Sequence, residues 1–590
     1  MQMMMPIVAQ VAETAVKDWT IPILVLVPVI GALLLPLITP KGNPKLSGVL
    51  AFVISLVPLV MVGWMVAKFP AYRVEGADKA GWYHQFSYEW LPSFGVKFSM
   101  GMDTISLWLV VLAAVLTPIS ILASFNYIKQ RQPEFYAWML VLHAAMLGVF
   151  CAMDVLVFYL FFEFTLIPMF FIIGIWGGAE RRKAAGKFFL FTFSGSVLTL
   201  VSLLYIAFLF SNGYSAYSAE AGRVVEYVKG AGYISFAYTD LYATGSQLPL
   251  GLQTILFFGM FAGFAVKVPL FPVHTWLPLA HTEAPTAGSV ILAGVLLKLG
   301  TYAILRFLLP ILPLAAQTYA PYVAVVCIIG IIYGALVSWV QGDMKKLIAY
   351  SSVSHLGFCV LGMFAMTEEG VMGSVLYMIN HGLSTGALFL IVGMIYERYH
   401  TRDMNQLSGL VRRTPALAFF AIFFVMSSVA LPGLNGFVSE FLVLVGTFVS
   451  GQKTGGDMQQ TWVYGNLGPA YAITAATGVI LGAVYLLYWA GRVVFGPLKE
   501  PVHEEGSGHD DEHAVQEKAR DLSGREWAVL VPIGALVVVL GVYPMPVMET
   551  LKAPVRKMVE TMRIDTTHTA MKVNAAEAGA QETGKHEAGN

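Results

Sequence analysis

Long apolar stretches alternate with short polar connections along almost the whole chain. A hydrocarbon core about 30 Å thick requires roughly 20 consecutive apolar residues per helix, and these stretches meet that requirement. The pattern therefore predicts an all-α, polytopic membrane protein of about fourteen transmembrane helices. The predicted spans are 21–38, 46–67, 104–127, 135–153, 155–176, 188–210, 248–279, 287–307, 322–340, 347–366, 371–396, 415–450, 470–491 and 527–548.

The composition agrees with a membrane protein, since 57% of the 590 residues are hydrophobic and 12% are charged. Soluble proteins are about 25% charged. Basic and acidic residues balance at 36 each, which gives no reason to expect a nucleic-acid partner. The three cysteines lie far apart in apolar stretches, and the chain has no phosphate-binding or zinc-protease motif. We therefore expect no metal site in this chain.

Lys and Arg are concentrated in alternate loops, which indicates the orientation because basic residues stay on the cytoplasmic side. The short loops around Asp154, Pro313 and Glu368 contain neither residue type. We predict a multi-pass protein of the bacterial inner (cytoplasmic) membrane with both termini outside. The basic residues of the cytoplasmic loops are Lys41, Lys45, Lys129, Arg131, Arg181, Arg182, Lys183, Lys187, Lys345, Lys346, Arg398, Arg402, Arg412, Arg413, Arg492 and Lys499.

A few ionisable side chains lie inside the predicted spans, where each costs several kcal/mol unless it is paired or hydrated. A buried pair can simply hold helices together, and a lone histidine usually bonds to a neighbouring helix. Six groups at similar depth in different helices favour an ion pathway instead. We call these six groups the row. Its charged members are Glu163, Lys267, Lys298 and Glu440, and its two histidines are His355 and His381.

Two of these spans contain helix breakers next to an ionisable residue. Pro269 and Pro272 follow Lys267, and Pro432 and Gly433 precede Glu440. Broken helices in membranes occur where protein or water satisfies the free backbone groups, and they indicate an ion path in transporters. Burial lowers the proton affinity of a lysine, so an approaching Glu163 would keep Lys267 charged and a retreating one would favour proton release.

Three further histidines lie in or beside apolar segments. His143 has no charged neighbour in sequence, which favours a packing role. His274 and His281 flank Trp276 near the predicted cytoplasmic surface. His274 is a candidate proton entry point because histidine titrates near neutral pH, but both residues could equally be interfacial side chains beside a tryptophan anchor.

Four sequence motifs surround these buried groups. They are Phe-Phe-Glu-Phe-Thr-Leu-Ile-Pro at 161–168, Ala-Val-Lys-Val-Pro at 265–269 with His-Thr-Trp-Leu-Pro at 274–278, Ala-Pro-Thr-Ala-Gly-Ser-Val at 284–290 with Leu-Leu-Lys at 296–298, and Ser-Ser-Val-Ser-His-Leu-Gly at 351–357. Together they resemble the antiporter-like subunits of NADH:quinone oxidoreductase (respiratory complex I) and the related multisubunit cation/proton antiporters. The resemblance spans roughly residues 100 to 500.

The resemblance implies two inverted five-helix repeats, each with a broken helix, and no redox cofactor bound to this chain. We expect N-terminal helices in 1–134, the repeats in 135–307 and 322–491, and a cytoplasmic loop with the last helix in 492–550. The polar stretches 211–247 and 503–525 and the tail 551–590 are expected to be surface loops or disorder without chemistry, the tail lying outside if ordered.

The resemblance also implies a role for each buried group. Glu163 and Lys267 match the family's Glu–Lys pair, and Lys298 matches its central lysine. His355 and His381 match the bridging histidines. Glu440 matches the terminal group, which is Glu in M-type subunits and typically Lys in the sibling subunits, so the chain resembles the M-type.

Membership would make the chain a proton-translocating subunit of an oxidoreductase. Flavin, iron–sulfur clusters, NADH and quinone would then belong to partner subunits, and homologous antiporter-like subunits would lie on either side in the bilayer. The alternative is a subunit of a multisubunit Na⁺(K⁺)/H⁺ antiporter, which uses the same lysines without redox input. Co-purification with flavin and iron–sulfur proteins would separate the two.

Overall fold

A computed structural model describes residues 18–40, 43–75, 81–218, 223–451, 453–454, 461–462, 465–501 and 520–562. Within these residues, thirteen helices are long and apolar enough to cross a membrane. Two shorter apolar helices, α17 (Pro415–Ser428) and α18 (Asn435–Val449), share one further predicted span that breaks between them. The prediction of an all-α membrane protein with about fourteen spans is thereby confirmed.

The first half of the described chain contains helices of very different lengths. They are α1 (Thr20–Ile38), α2 (Lys45–Glu75), α3 (Thr104–Ala123), α4 (Gln132–Cys151), α5 (Val155–Phe164), α6 (Leu166–Trp176), α7 (Arg181–Asn212), α8 (Tyr238–Gly245), α9 (Leu250–Lys267), α10 (Leu277–Glu283), α11 (Thr286–Ile291), α12 (Leu297–Ala303) and α13 (Leu309–Ile311). Two π-helical segments, Leu292–Leu296 and Ile304–Leu308, join α11, α12 and α13 into one continuous span.

The second half adds α14 (Pro313–Trp339), α15 (Met344–Phe364), α16 (Glu368–Tyr399), α17, α18, α19 (Pro469–Val493), α20 (Gly524–Val542) and α21 (Met545–Met562). Acidic and hydroxyl side chains start several of these helices by accepting hydrogen bonds from the free backbone N–H groups of the first turn. Asp343 accepts from Lys345 N at 2.7 Å before α15, and Ser523 forms a reciprocal capping box with Glu526 before α20.

The polar region 211–247 is more ordered than the sequence analysis expected, and β-hairpins occur at two further places. Residues 211–247 contain the hairpin of β3 (Gly213–Ser218) and β4 (Arg223–Lys229) as well as α8, so the prediction of a loop or disorder there is wrong. A second hairpin, of β1 (Tyr83–Leu91) and β2 (Val96–Met102), precedes α3, and two-residue strands β5 (Lys453–Thr454) and β6 (Thr461–Trp462) pair after α18.

Residues 551–562, expected to begin a polar tail, are helical, because α21 extends to Met562. Its apolar residues recur every three or four positions, and those at Val547, Leu551, Val555 and Val559 are buried. This is the pattern of an amphipathic helix, and the high local content of charge obscured it. Of the remaining polar stretches, 502–519 and 563–590 lie outside the described residues.

Two spans form the centre of the bundle. The span 286–311 and helix α16 are buried along almost their whole lengths, whereas less than half of the apolar window of each of α1, α2, α19 and α20 is buried. Helix α3 packs on both central spans, and α15 packs on α16. Side chains on the facing surfaces of the central spans are therefore removed from both lipid and bulk water.

Candidate functional site

Helix α9 ends at Lys267, where the Pro269 and Pro272 breakers interrupt the span. The backbone runs without helix through residues 268–276 and resumes as α10. The carbonyl groups freed by the break are satisfied locally, since Ala265 O accepts from Leu270 N at 2.9 Å and Val266 O from Trp276 Nε1 at 2.9 Å. The break is therefore built into the core and presents Lys267, which is 3% exposed.

Lys267 points to a second, unforeseen break between α5 and α6. Pro168 has no N–H for the Phe164 carbonyl, and the helix is interrupted at Thr165. The Lys267 ammonium donates to Phe162 O at 3.4 Å and Thr165 Oγ1 at 3.3 Å. It also lies 4.4 Å from the centroid of the Phe162 ring, a cation–π distance.

Glu163 lies in sequence between Phe162 and Thr165, the two residues that accept hydrogen bonds from Lys267, but it does not itself bind Lys267. Among the described residues, its carboxylate oxygens are buried without a hydrogen-bond partner, and no ion pair with Lys267 within 4.0 Å is present. The two groups nevertheless remain within electrostatic range of each other. In this structure the Glu163 carboxylate and the Lys267 ammonium are therefore separated, and the lysine is held by neutral oxygens instead.

Lys298 forms the central contact of the site. It is fully buried in α12, directly after the first π-helical segment. Its ammonium donates to Ala293 O inside that segment and to Nδ1 of His381 on α16 at 2.7 Å. Departures from α-helical bonding of this kind occur frequently at functional sites.

A chain of polar contacts continues from His381 toward Glu440. The rings of His381 and His355 are 5.5 Å apart between centroids at an angle of 63°. Nδ1 of His355 lies 2.7 Å from the Tyr377 hydroxyl, which donates to Glu440 Oε1 at 3.1 Å. Tyr485 O–H lies 3.3 Å from Nε2 of His355. The sequence analysis missed Tyr377, although it stands one helical turn before His381 and so shares its face.

Polar side chains stabilise the break between α17 and α18. Asn380 donates to Asn435 O at 2.7 Å and to Ser439 Oγ at 3.1 Å, and Ser427 donates to Asn435 Oδ1 at 2.6 Å. Ser384 bonds to Ser427 at 2.6 Å. A cavity of about 20 Å³ adjoins this network and is also lined by His355, Tyr377, His381 and Glu440. That volume holds about one water molecule.

Glycines bring the elements of the site close together. A Cβ atom at Gly382, next to His381, would lie 2.8 Å from Gly294 O, so α16 meets the π-helical segment at a glycine–glycine contact. A Cβ atom at Gly300 would lie 3.1 Å from Cβ of Lys267. The second contact packs the helix of Lys298 directly against the broken span that ends at Lys267.

The candidate entry histidine lies in the first broken span. His274 is 3% exposed, and its ring packs against Phe271 and Tyr333 with centroid distances of 5.9 and 5.3 Å. His281 is fully buried and stacks on Phe389 at 4.8 Å, with neither ring nitrogen bonded among the described residues. His143 is likewise fully buried. A role of His274 in proton entry stays a prediction.

The expected set of four buried charges was too small. Arg306 lies inside the same predicted span as Lys298, is 6% exposed and forms an ion pair with Asp103, which caps α3. Its guanidinium also lies 4.8 Å from the Trp82 ring centroid. Arg398 pairs with Glu526 through two hydrogen bonds of 2.7 and 2.9 Å. Each of these arginines has an acid and therefore differs from the lysines of the row.

A bundle of membrane spans broken beside buried ionisable side chains has the architecture of antiporter-like membrane proteins. Residues 152–455 match the family model described as NADH:quinone oxidoreductase/Mrp antiporter, TM, and residues 82–153 match that of NADH-ubiquinone oxidoreductase chain 4, amino terminus. The chain belongs to this family, in the subunit M or chain 4 branch.

Curated relatives support the same assignment. NADH-quinone oxidoreductase subunit M of Rhodobacter capsulatus is 43% identical over 83% of this chain and 87% of its own length. NADH-ubiquinone oxidoreductase chain 4 of Marchantia polymorpha is 37% identical over 92% and 97%, respectively. Subunit M of Pseudomonas aeruginosa is 36% identical over 90% and 95%.

Solved structures share the fold. A chain of respiratory complex I from Thermus thermophilus with bound NADH superimposes with a TM-score of 0.74 at 28% identity, covering 92% of this chain and 100% of that chain. A chain of the Mrp complex from Dietzia sp. gives a TM-score of 0.73 at 17% identity, covering 93% and 99%. The second likeness concerns the fold alone.

Proposed function

We propose that this chain is a proton-translocating membrane subunit of an NADH:quinone oxidoreductase. The observation that carries the proposal is the contact between Lys298 and His381, followed by His355, Tyr377 and Glu440. Each of these side chains can take up or release a proton, and each stands close to the next. Polar contacts that only hold helices together would not require so many adjacent titratable groups within a buried core.

The first repeat supplies a switch for this pathway. Lys267 is held by neutral oxygens, and Glu163 lies near it without forming an ion pair. Movement of the carboxylate onto the ammonium would stabilise the charged lysine, and withdrawal would favour proton release toward Lys298. The contact of Gly300 with Lys267 gives a direct mechanical connection between the two lysines.

The redox chemistry belongs to other subunits in this proposal. Flavin, iron–sulfur clusters, NADH and quinone would be bound by partner chains, and this chain would carry out no electron transfer itself. Homologous antiporter-like subunits would flank it in the membrane arm. The basic loops on alternate connections support a bacterial inner-membrane orientation with both termini outside. His274 would admit protons from the cytoplasmic side.

The test is purification of the intact complex through an affinity tag on this chain. The expected result is co-purification of flavin and iron–sulfur proteins and NADH-driven quinone reduction that acidifies reconstituted vesicles. A Lys298→Ala complex should retain its cofactors but lose most proton uptake. A complex without redox subunits that exchanges Na⁺ or K⁺ for protons would instead establish the antiporter alternative. Undiminished pumping by assembled Lys298→Ala would remove this chain's row from the mechanism.

A further inference from the structure

We infer that the hydroxyl group of Tyr377 carries the proton between His355 and Glu440. The inference rests on the proposed function and adds a residue to its pathway. His355 and Glu440 have no direct hydrogen bond to each other among the described contacts, and the Tyr377 oxygen lies within 2.7 Å of the first and 3.1 Å of the second. Tyr377 is thus the bridge between two groups that must exchange a proton.

The hydrogen-bond directions define the resting state. A tyrosine hydroxyl has one proton, so Tyr377 accepts from N–H of His355 when it donates to Glu440. His355 then carries its proton on Nδ1 and offers Nε2 as an acceptor, which the hydroxyl of Tyr485 can satisfy at 3.3 Å. All members of this arrangement are buried, with His355 7% and Glu440 5% exposed.

The transfer is balanced and leaves the tyrosine neutral. An additional proton reaching Nε2 of His355 makes the ring cationic, so that both ring nitrogens carry hydrogen. The Nδ1–H bond then breaks as an O–H bond forms on Tyr377, while the original O–H bond of Tyr377 breaks and its proton joins Oε1 of Glu440. His355 returns to a neutral ring, Glu440 becomes a carboxylic acid, and rotation of the hydroxyl and the ring resets the bridge.

The neighbouring cavity offers a different route that the experiment must separate. Its volume of about 20 Å³ accommodates a water molecule beside His355 and Glu440, and such a water could bridge them without the tyrosine. A purely structural hydroxyl is the other possibility, because a buried carboxylate needs a donor. The geometry favours the tyrosine, since its oxygen already occupies the bridging position with hydrogen-bond distances on both sides.

Tyr377→Phe in the intact complex removes the hydroxyl and keeps the ring. Proton uptake coupled to quinone reduction should fall on the order of a hundredfold or more, the scale of losing one proton-transfer group. Tyr302→Phe is the matched control. Its hydroxyl is also buried, lies 3.0 Å from Ser106 Oγ and donates to Phe150 O at 3.3 Å, and it has no described hydrogen bond to His355, His381, Lys298 or Glu440, so pumping should persist. Undiminished pumping by Tyr377→Phe would overturn the inference in favour of the water route.

A second substitution separates a proton carrier from a structural donor. Difluorotyrosine at position 377 keeps the ring and hydroxyl but makes the phenol more acidic. A carrier should show a shifted pH profile of turnover and an altered solvent isotope effect, and an unchanged profile would assign only a structural role. Lys298→Ala, measured in parallel, distinguishes a failure of the proposed function from a failure of the tyrosine bridge. If it pumps normally, the proposed function fails, whereas loss in Lys298→Ala with normal Tyr377→Phe overturns the tyrosine bridge alone.

Discussion

The ammonium nitrogen of Lys298 lies 2.7 Å from Nδ1 of His381, in the fully buried centre of the bundle. An ammonium group has no acceptor, so a charged Lys298 requires the histidine to present an unprotonated Nδ1. The neutral histidine then keeps its hydrogen on Nε2, which has no hydrogen-bond partner among the described residues, and His381 lines a cavity together with His355. A proton passed from the lysine to Nδ1 can therefore leave from the opposite side of the ring.

Substitutions of Lys298 distinguish a proton carrier from a fixed charge. Alanine should abolish most proton uptake in the assembled complex. Arginine should fail nearly as badly, because a guanidinium group stays protonated in proteins and cannot readily release its proton. Proton uptake by vesicles, normalised to the amount of intact complex, measures the effect. Wild-type pumping with Lys298→Arg would mean that this position contributes charge without transferring protons.

Glu163 should control proton release by Lys267. Glu163→Gln preserves the size of the side chain but removes the charge. We therefore expect the complex to assemble, with pumping and coupled quinone reduction lowered on the order of a hundredfold. Glu163→Asp should be milder because the charge remains. The measurement is the rate of proton uptake together with the rate of quinone reduction. Full activity of an assembled Glu163→Gln complex would contradict the switch.

Glu440 should require an acidic side chain. Glu440→Gln should impair pumping, while Glu440→Asp should retain much of it. Moving the carboxylate from position 440 to position 441, in place of Phe441, should not support pumping. A shift of one residue rotates a helical side chain by about 100°. A native gel provides the control for assembly. An intact but slow Glu440→Gln complex agrees with the relay, and a complex that loses a partner subunit indicates a structural role.

Gly382 should set the distance between Lys298 and His381. A Cβ atom there would lie 2.8 Å from both Gly294 O and a methyl group of Leu112, so Gly382→Ala must displace α16, at a cost of about 1–3 kcal/mol. Proton pumping should decrease because this displacement separates Lys298 from His381. Gly386→Ala, one turn later, is the control because its Cβ would meet ordinary contacts of 3.6 and 3.7 Å. Equal activity of the two variants would show that the close contact is dispensable.

The ion pair of Arg306 and Asp103 should matter for stability instead of proton transfer. Arg306→Met leaves a buried carboxylate without its partner, which typically costs about 3–5 kcal/mol. The yield and melting temperature of the complex should fall, while pumping per assembled complex stays close to wild type. Glu134→Gln breaks the exposed pair with Arg131 and should leave both properties unchanged. Selective loss of pumping in stable Arg306→Met would place this arginine in the pathway.

The spans and most ionisable residues of the site follow from the sequence because burial in a bilayer imposes a length on each helix and a high cost on each charge. The breaks at Lys267 and before Glu440 are likewise readable, since proline and glycine act on the local backbone. Helix α21 was missed although its apolar residues have a helical period, because its charges resembled those of a polar tail.

The connections between these groups were decided only by the tertiary structure. Nothing in the spacing of Lys298 and His381 indicates a direct bond, because the bond depends on a close approach of two helices at Gly294 and Gly382. Tyr377 became a bridge only when α15, α16 and α18 brought His355 and Glu440 to either side of its hydroxyl. Local sequence determines which side chains can exchange protons, and long-range packing determines which of them are near enough to do so.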